Sequence, residues 1–168
     1  TGFVMMVPIL PREKFLTTTT DIQGCAIDSC ATNSCDILVN GGGMVGLGLA
    51  LALAGEGFSV VVLDSQAAPA APAALQVSMI QPLFDSRVSA LTEASRQWLQ
   101  QLGVWDALAA LRVCAYRDMQ VWDADGTGAI HFAAEEVHAN LLGHIVENRL
   151  VCAVLYAALQ QQPTVQLR

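Results

Sequence analysis

Residues 36–64 read DILVNGGGMVGLGLALALAGEGFSVVVLD. Asp36-Ile37-Leu38-Val39 is a short β-type run, and residues 44–54 are rich in Leu and Ala, as a helix buried on most sides is. Gly55 and Gly57 can end that helix, and residues 59–63 form a second β-branched run closing on Asp64. Strand, glycine turn, helix and strand within about 30 residues make one βαβ unit. The turn carries Gly41-x-Gly43-x-x-Gly46. In such a turn the first glycine permits the tight exit from the strand. The second lets backbone N–H groups approach a pyrophosphate, and the third lets helix and strand pack closely. The helix start then offers unpaired N–H donors and partial positive charge to the phosphates.

Asp64 lies 18 residues beyond Gly46, near the spacing of about 20 at which a carboxylate accepts from ribose hydroxyls. That carboxylate repels a 2′-phosphate, so the pattern points to FAD or NAD and away from NADP. A βαβ unit whose turn binds nothing is the competing reading. Asn40 stands where a small apolar residue usually closes the strand; its amide either bonds within the turn or loosens it.

The chain has 168 residues, enough for one domain with a sizeable core. Eight Lys and Arg against 15 Asp and Glu give a net charge of −7, and Lys14 is the only lysine. That balance excludes nucleic acid as the partner and leaves no polybasic patch for a membrane. Apolar residues at 54% against 14% charged exclude global disorder. A mean hydropathy of +0.46 raises the question of a membrane span. Its best candidate, residues 44–63, is interrupted by Glu56 between two glycines, and the clean piece 44–54 is shorter than the ~20 apolar residues required. The Gly42/Gly46 spacing also suits paired membrane helices, but the strand–turn–helix context accounts for it better. No targeting signal is expected, because the apolar residues 3–10 follow no basic segment. Cys25, Cys30 and Cys35 recur every fifth residue, while Cys114 and Cys152 stand alone. Without a Cys-x-x-Cys pair or a fourth ligand, reduced thiols are expected and no metal site.

Residues 1–35 have no sustained period and read as a leader. Residues 67–74, rich in Ala and Pro, read as a surface loop. Leu91, Ala94, Trp98, Leu99 and Leu102 have helical spacing, with Gly103 as the stop, and a short amphipathic piece follows at 105–111. Residues 117–122 and 129–133 read as a hairpin turned at Asp125-Gly126. Ile145-Val146 is a short strand. Leu150, Val151, Val154, Leu155, Ala158 and Leu159 form a helical face ending before Pro163, and residues 165–167 begin a strand. Trp98, Trp105 and Trp122 are expected in the core or on strand faces, and Glu135-Glu136 as an exposed pair. His131 and His138 are expected to be structural or solvated. His144 has no nucleophile to pair with, so no acid–base triad can be assembled.

Together, residues 36–64, FDSRVSAL at 84–91, MQVWD at 119–123 and GHIVEN at 143–148 resemble the flavin hydroxylases of ubiquinone biosynthesis. Among these it resembles the bacterial polyprenylphenol hydroxylases, which belong to the FAD-dependent aromatic hydroxylases. The resemblance spans residues 36–168. It implies an α/β fold: a Rossmann-like FAD-binding βαβ unit with an added β-hairpin, forming an incomplete flavin hydroxylase domain. It implies that Gly41, Gly43 and Gly46, with the backbone of Met44 and Val45, hold the FAD pyrophosphate. Asp64 would take the adenosine ribose, Arg87 would lie against the flavin and its phosphates, and Asn148 near the cofactor. Asn148 is equally placed to N-cap the last helix.

The family's second flavin fingerprint, a Gly-Asp pair leading into a helix, does not occur here, nor does its Asp-Gly motif in the right context. The chain is therefore read as an N-terminal portion with exposed sheet edges and no acid–base catalyst. The complete enzyme is implied to hydroxylate a polyprenylated phenol using O₂ and a reductant such as NADPH. Its implied place is the cytoplasm, peripheral at the inner membrane or within a biosynthetic complex. The alternatives are a noncatalytic nucleotide-binding fragment and an NAD-dependent dehydrogenase, the latter fitting the βαβ unit but not the Arg87 segment.

Overall fold

The computed structural model describes residues 35–72, 84–123 and 127–168. The leader reading of residues 1–35 and the Asp125-Gly126 turn therefore fall, apart from Cys35, outside the described residues. Strand β1 (Ile37–Asn40) leads through the glycine turn into α1 (Met44–Gly55), which returns to β2 (Val60–Leu63). β1 and β2 are parallel, with Ile37 opposite Val60 and Asn40 opposite Leu63. A clasp fixes this register at the strand starts. Ser59 N–H and Oγ both donate to Asp36 Oδ2, at 2.9 and 2.7 Å, and Asp36 N–H lies 2.9 Å from Ser59 Oγ. α1 ends in a hydrogen-bonded C-terminal motif: Gly57 N–H donates to the Ala54 carbonyl and Phe58 N–H to the Leu53 carbonyl.

After β2 the chain runs without regular structure to residue 71, in line with the loop expected from residue 67, and Pro72 is helical; residues 73 and 74, the end of that expected loop, lie outside the described residues. A second sheet follows, antiparallel, in the order β3 (Val88–Thr92), β7 (Gly143–Glu147), β4 (Val113–Tyr116). Between β3 and β4 stand α2 (Glu93–Gln101) and α3 (Trp105–Ala109). Leu91, expected to open a helix, lies in β3 instead. The helix starts two residues later, where Thr92 Oγ1 caps it by accepting from Ser95 N–H. β5 (Asp118–Trp122) and β6 (Ala129–Ala133) form the expected hairpin, with Met119 opposite Phe132 and Val121 opposite Ile130. His131 pairs with Asp118 at 3.2 Å across it. The last helix, α4 (Asn148–Leu159), leads to β8 (Val165–Leu167), which pairs parallel with β2 and completes a sheet ordered β1-β2-β8.

One core joins the elements. Leu47, Ala50 and Leu51 of α1 meet Leu150, Val151, Val154 and Leu155 of α4 over Val39, Val60 and Val62 of the parallel sheet. The small residues of α1 let its neighbours approach: a Cβ on Gly48 would strike the Trp98 ring. Trp105 is buried and meets the His144 ring edge-on at 5.0 Å, which seats α3 on β7. Trp98 and Trp122 do not join this core; they are 39% and 68% exposed. Trp98 covers a helix of small residues from outside, and Trp122 sits on a two-stranded ribbon. No helix among the described residues is long and apolar enough to cross a membrane.

Leu155 is fully buried between α1 and the sheet. Leu155→Ala is expected to destabilise the fold by about 2–5 kcal/mol, the cost of lost transfer energy plus a cavity. Urea unfolding would measure it, and a loss below about 1 kcal/mol would refute the core as described.

Candidate functional site: a dinucleotide loop

The glycine turn and Asp64 meet because of the β1–β2 register. Gly41 leaves β1 at φ +111, a conformation open to glycine and strained for other residues, and its N–H donates to the Leu63 carbonyl at 2.8 Å. The next amide, Gly42 N–H, donates to Asp64 Oδ2 at 2.6 Å, and Gln66 N–H donates to Oδ1 at 2.8 Å. These two bonds aim an exposed carboxylate across the mouth of the turn. Asn40 is exposed at the end of β1.

Gly43 is the N-cap of α1 and supplies no side-chain acceptor. The first amides of α1, Met44 and Val45, therefore depend on something other than a capping side chain. A Cβ on Gly43 would meet nothing within 4 Å, whereas one on Gly46 would lie 1.9 Å from the Gly41 carbonyl oxygen. One glycine thus keeps space open before the helix start, and another allows the helix to touch the turn. Gly42 belongs to the same device, since its Cβ would lie 2.7 Å from Asp64 Oδ2. The motif treats that position as free, so only the three consecutive glycines hinted at it.

Arg87 and Asn148 meet at the junction where β3 begins and β7 ends. Asn148 N–H donates to the Arg87 carbonyl at 2.9 Å. Asn148 is not the N-cap of α4: Glu147 holds that position, and Asn148 is the first helical residue. Its Oδ1 instead accepts from Ser89 Oγ at 2.7 Å, so what this side chain can offer a ligand is its amide donor. One turn along α4, the half-buried Cys152 connects this junction to the loop. Burial pushes its thiol pKa above the ordinary value and the Asp64 charge adds to that, while the Arg87 charge and a hydrogen bond from the Met44 backbone oppose it. The fields of Arg87 and Asp64 thus converge beside the start of α1. Sequence reasoning passed over Cys152, because a lone cysteine in an apolar helical face reads as core.

The arrangement has features that a dinucleotide could use: open space at Gly43, a helix start whose N-cap supplies no side-chain bond, and an exposed carboxylate beside the turn. Among the described residues no cluster of His, Cys, Asp or Glu could hold a metal ion. A family model described as FAD dependent oxidoreductase matches residues 36–159. The chain is 43% identical over 133 residues to 3-demethoxyubiquinol 3-hydroxylase of Escherichia coli, covering 79% of this chain and 32% of that protein. It is 33% identical over 140 residues to the mitochondrial ubiquinone biosynthesis monooxygenase COQ6 of Xenopus tropicalis, covering 82% and 29%. The chain thus spans about a third of the length of the curated relatives it matches. Among solved structures, p-nitrophenol 4-monooxygenase PnpA of Pseudomonas putida shares the fold, with a TM-score of 0.54 at 24% identity over 79% of this chain and 30% of that one.

The glycines divide into two kinds that mutation separates. Gly46→Ala forces a carbon into the Gly41 carbonyl and is expected to cost about 1–3 kcal/mol in urea unfolding. Gly43→Ala, placed in open space, is expected to cost under about 1 kcal/mol. Equal losses at both positions would contradict the geometry of the turn.

Proposed function

The chain belongs to the FAD-dependent oxidoreductases, and from that premise we propose that residues Gly41, Gly43, Met44, Val45, Gly46, Asp64, Arg87 and Asn148 hold FAD. We propose further that the protein they serve is a hydroxylase of a polyprenylated phenol in ubiquinone biosynthesis. The observation that carries the cofactor site is the Gly42–Asp64 contact at 2.6 Å beside the uncapped start of α1. The names borne by the relatives support the substrate and the reaction.

In this reading Met44 and Val45 donate backbone N–H bonds to the diphosphate, reinforced by the helix dipole. Gly43 keeps the approach clear. Asp64 accepts from the adenosine ribose with the lone pairs that Gly42 and Gln66 leave free, and its charge disfavours a 2′-phosphate. Arg87 supplies the opposing positive charge, and Asn148 an amide donor. When bound, FAD would supply the redox chemistry of a monooxygenase, in which two electrons from a reductant such as NADPH let one atom of O₂ enter the phenol ring and the other leave as water. A peripheral position at the inner membrane, or in a biosynthetic complex, suits a substrate with a polyprenyl tail.

Titrating the chain with FAD and following flavin fluorescence tests the cofactor site. Saturable quenching is expected, and Asp64→Ala is expected to weaken it by about tenfold or more, as loss of a charged hydrogen-bond acceptor does. A folded chain that leaves FAD fluorescence unchanged would refute the reading. For the reaction, the complete protein should convert a polyprenylated phenol to its hydroxylated product in an FAD-dependent way.

A further inference from the structure

Glu147, the last residue of β7, is the buried charged residue of the described chain. Its Oε2 accepts from the Asp85 backbone N–H at 2.9 Å and from Arg149 Nε at 2.8 Å. Its Oε1 lies 2.8 Å from the Arg112 guanidinium. Arg112 in turn stacks on the Phe84 ring at 4.4 Å. Phe84 and Asp85 are therefore both tied to one buried ion group.

The ties continue to Arg87. Asp85 Oδ1 accepts from Arg87 N–H at 2.9 Å, and the Arg87 carbonyl accepts from Asn148 N–H at 2.9 Å. The main chain of Arg87 is thus fixed on both sides while the residue remains exposed. Burying the Glu147 carboxylate is costly even with the half-buried Arg112 and Arg149 beside it, and apolar replacements of such groups are often no less stable. Stability alone gives little reason for this cluster, and ordering the turn beneath Arg87 gives a specific one.

We propose that Glu147 is a positioning residue for the cofactor, holding residues 84–87 so that Arg87 presents its charge to the dinucleotide diphosphate. The proposal rests on the FAD reading above. A main chain fixed before the ligand arrives spares the ligand the cost of ordering it. Glu147 touches no part of the loop itself; its effect passes through the Asp85 N–H.

The test titrates FAD into wild type, Glu147→Gln, Arg87→Ala and the double variant at several salt concentrations. E147Q is expected to weaken binding about tenfold, and the double variant to bind no more weakly than R87A, because the two residues act as one unit. The salt dependence of Kd should also fall in E147Q as it does in R87A, since the diphosphate loses the same ionic partner in both. A purely structural role would lower Tm while leaving the salt dependence intact and adding to R87A, which would overturn the proposal. Hydrogen exchange of the cofactor-free chain gives a second readout. Asp85 and Arg87 amides should exchange about tenfold faster in E147Q while those of α1 do not change; equal exchange at both residues would overturn it. Should E147Q fail to fold, Asp85→Ala removes the acceptor of the Arg87 N–H and should weaken FAD binding about threefold. A wild-type chain that binds no FAD overturns the cofactor reading and this proposal with it. A wild type that binds FAD no better than E147Q and D85A overturns the proposal alone.

Discussion

Asp64 accepts the Gly42 N–H at 2.6 Å because β1 and β2 pair without slip, and the site hangs on that register. Asn40 lies opposite Leu63, so the first residues beyond each strand, Gly41 and Asp64, emerge side by side. A slip of one residue would turn every side chain of a strand to its other face. It would bury what is exposed and carry the carboxylate away from the turn. The Asp36–Ser59 clasp guards one end of the pair and the Gly42–Asp64 bond the other. The apolar faces of β1 and β2 then seat α1 and α4, so core and site share one cause.

The second sheet contributes by ending where the first needs support. β7 is its central strand, bonded on both sides, and it passes without a turn into α4. That direct passage places Glu147 and Asn148 at adjacent positions, one holding Asp85 and the other holding Arg87. α4 then packs along α1, carrying Cys152 to the start of that helix. A strand end, a helix start and a turn distant in sequence are brought within one network by a single continuous segment.

The βαβ unit was legible because its glycines answer to hard sterics. A left-handed φ at Gly41 and a close approach at Gly46 leave few other residues allowed, and two β-branched runs bracket them. The hairpin strands and α4 were legible from their periods. β3 and β4 were not: Val88–Thr92 runs straight into the cap of α2, and Val113–Tyr116 follows α3 without glycine or proline to mark it. Both are recognisable as strands only once β7 lies between them. Glu147 was illegible for a related reason, since a carboxylate in a sequence reads as solvated until its arginines are known. Those arginines, at 112 and 149, are separated in sequence and joined only by the fold. Asn148 carried two local readings, and the capping one failed because Glu147, the extended last residue of β7, takes the N-cap position and Asn148 is already the first helical residue.

The same network bears on how a chain of net charge −7 would suit the diphosphate of the proposed cofactor. Net charge governs solubility and the distant field, but at an ionic strength of 0.15 M that field fades within about 8 Å. What a bound phosphate senses is local. Around the junction stand Arg87, Arg112 and Arg149 against the carboxylates of Asp85 and Glu147, three positive groups to two negative. Burial of Glu147 fastens two of those arginines in place and leaves the third exposed on an ordered turn. Beside it, the uncapped amides of α1 add partial positive charge without any side chain. Asp64 stands beside the same turn, bonded to the Gly42 N–H, and its remaining lone pairs suit hydroxyls rather than phosphates. A glycine turn with an uncapped helix start and an acidic side chain beside it lets an acidic protein offer both signs locally, which is what the FAD proposed for this site would ask of its partners at the diphosphate and the ribose.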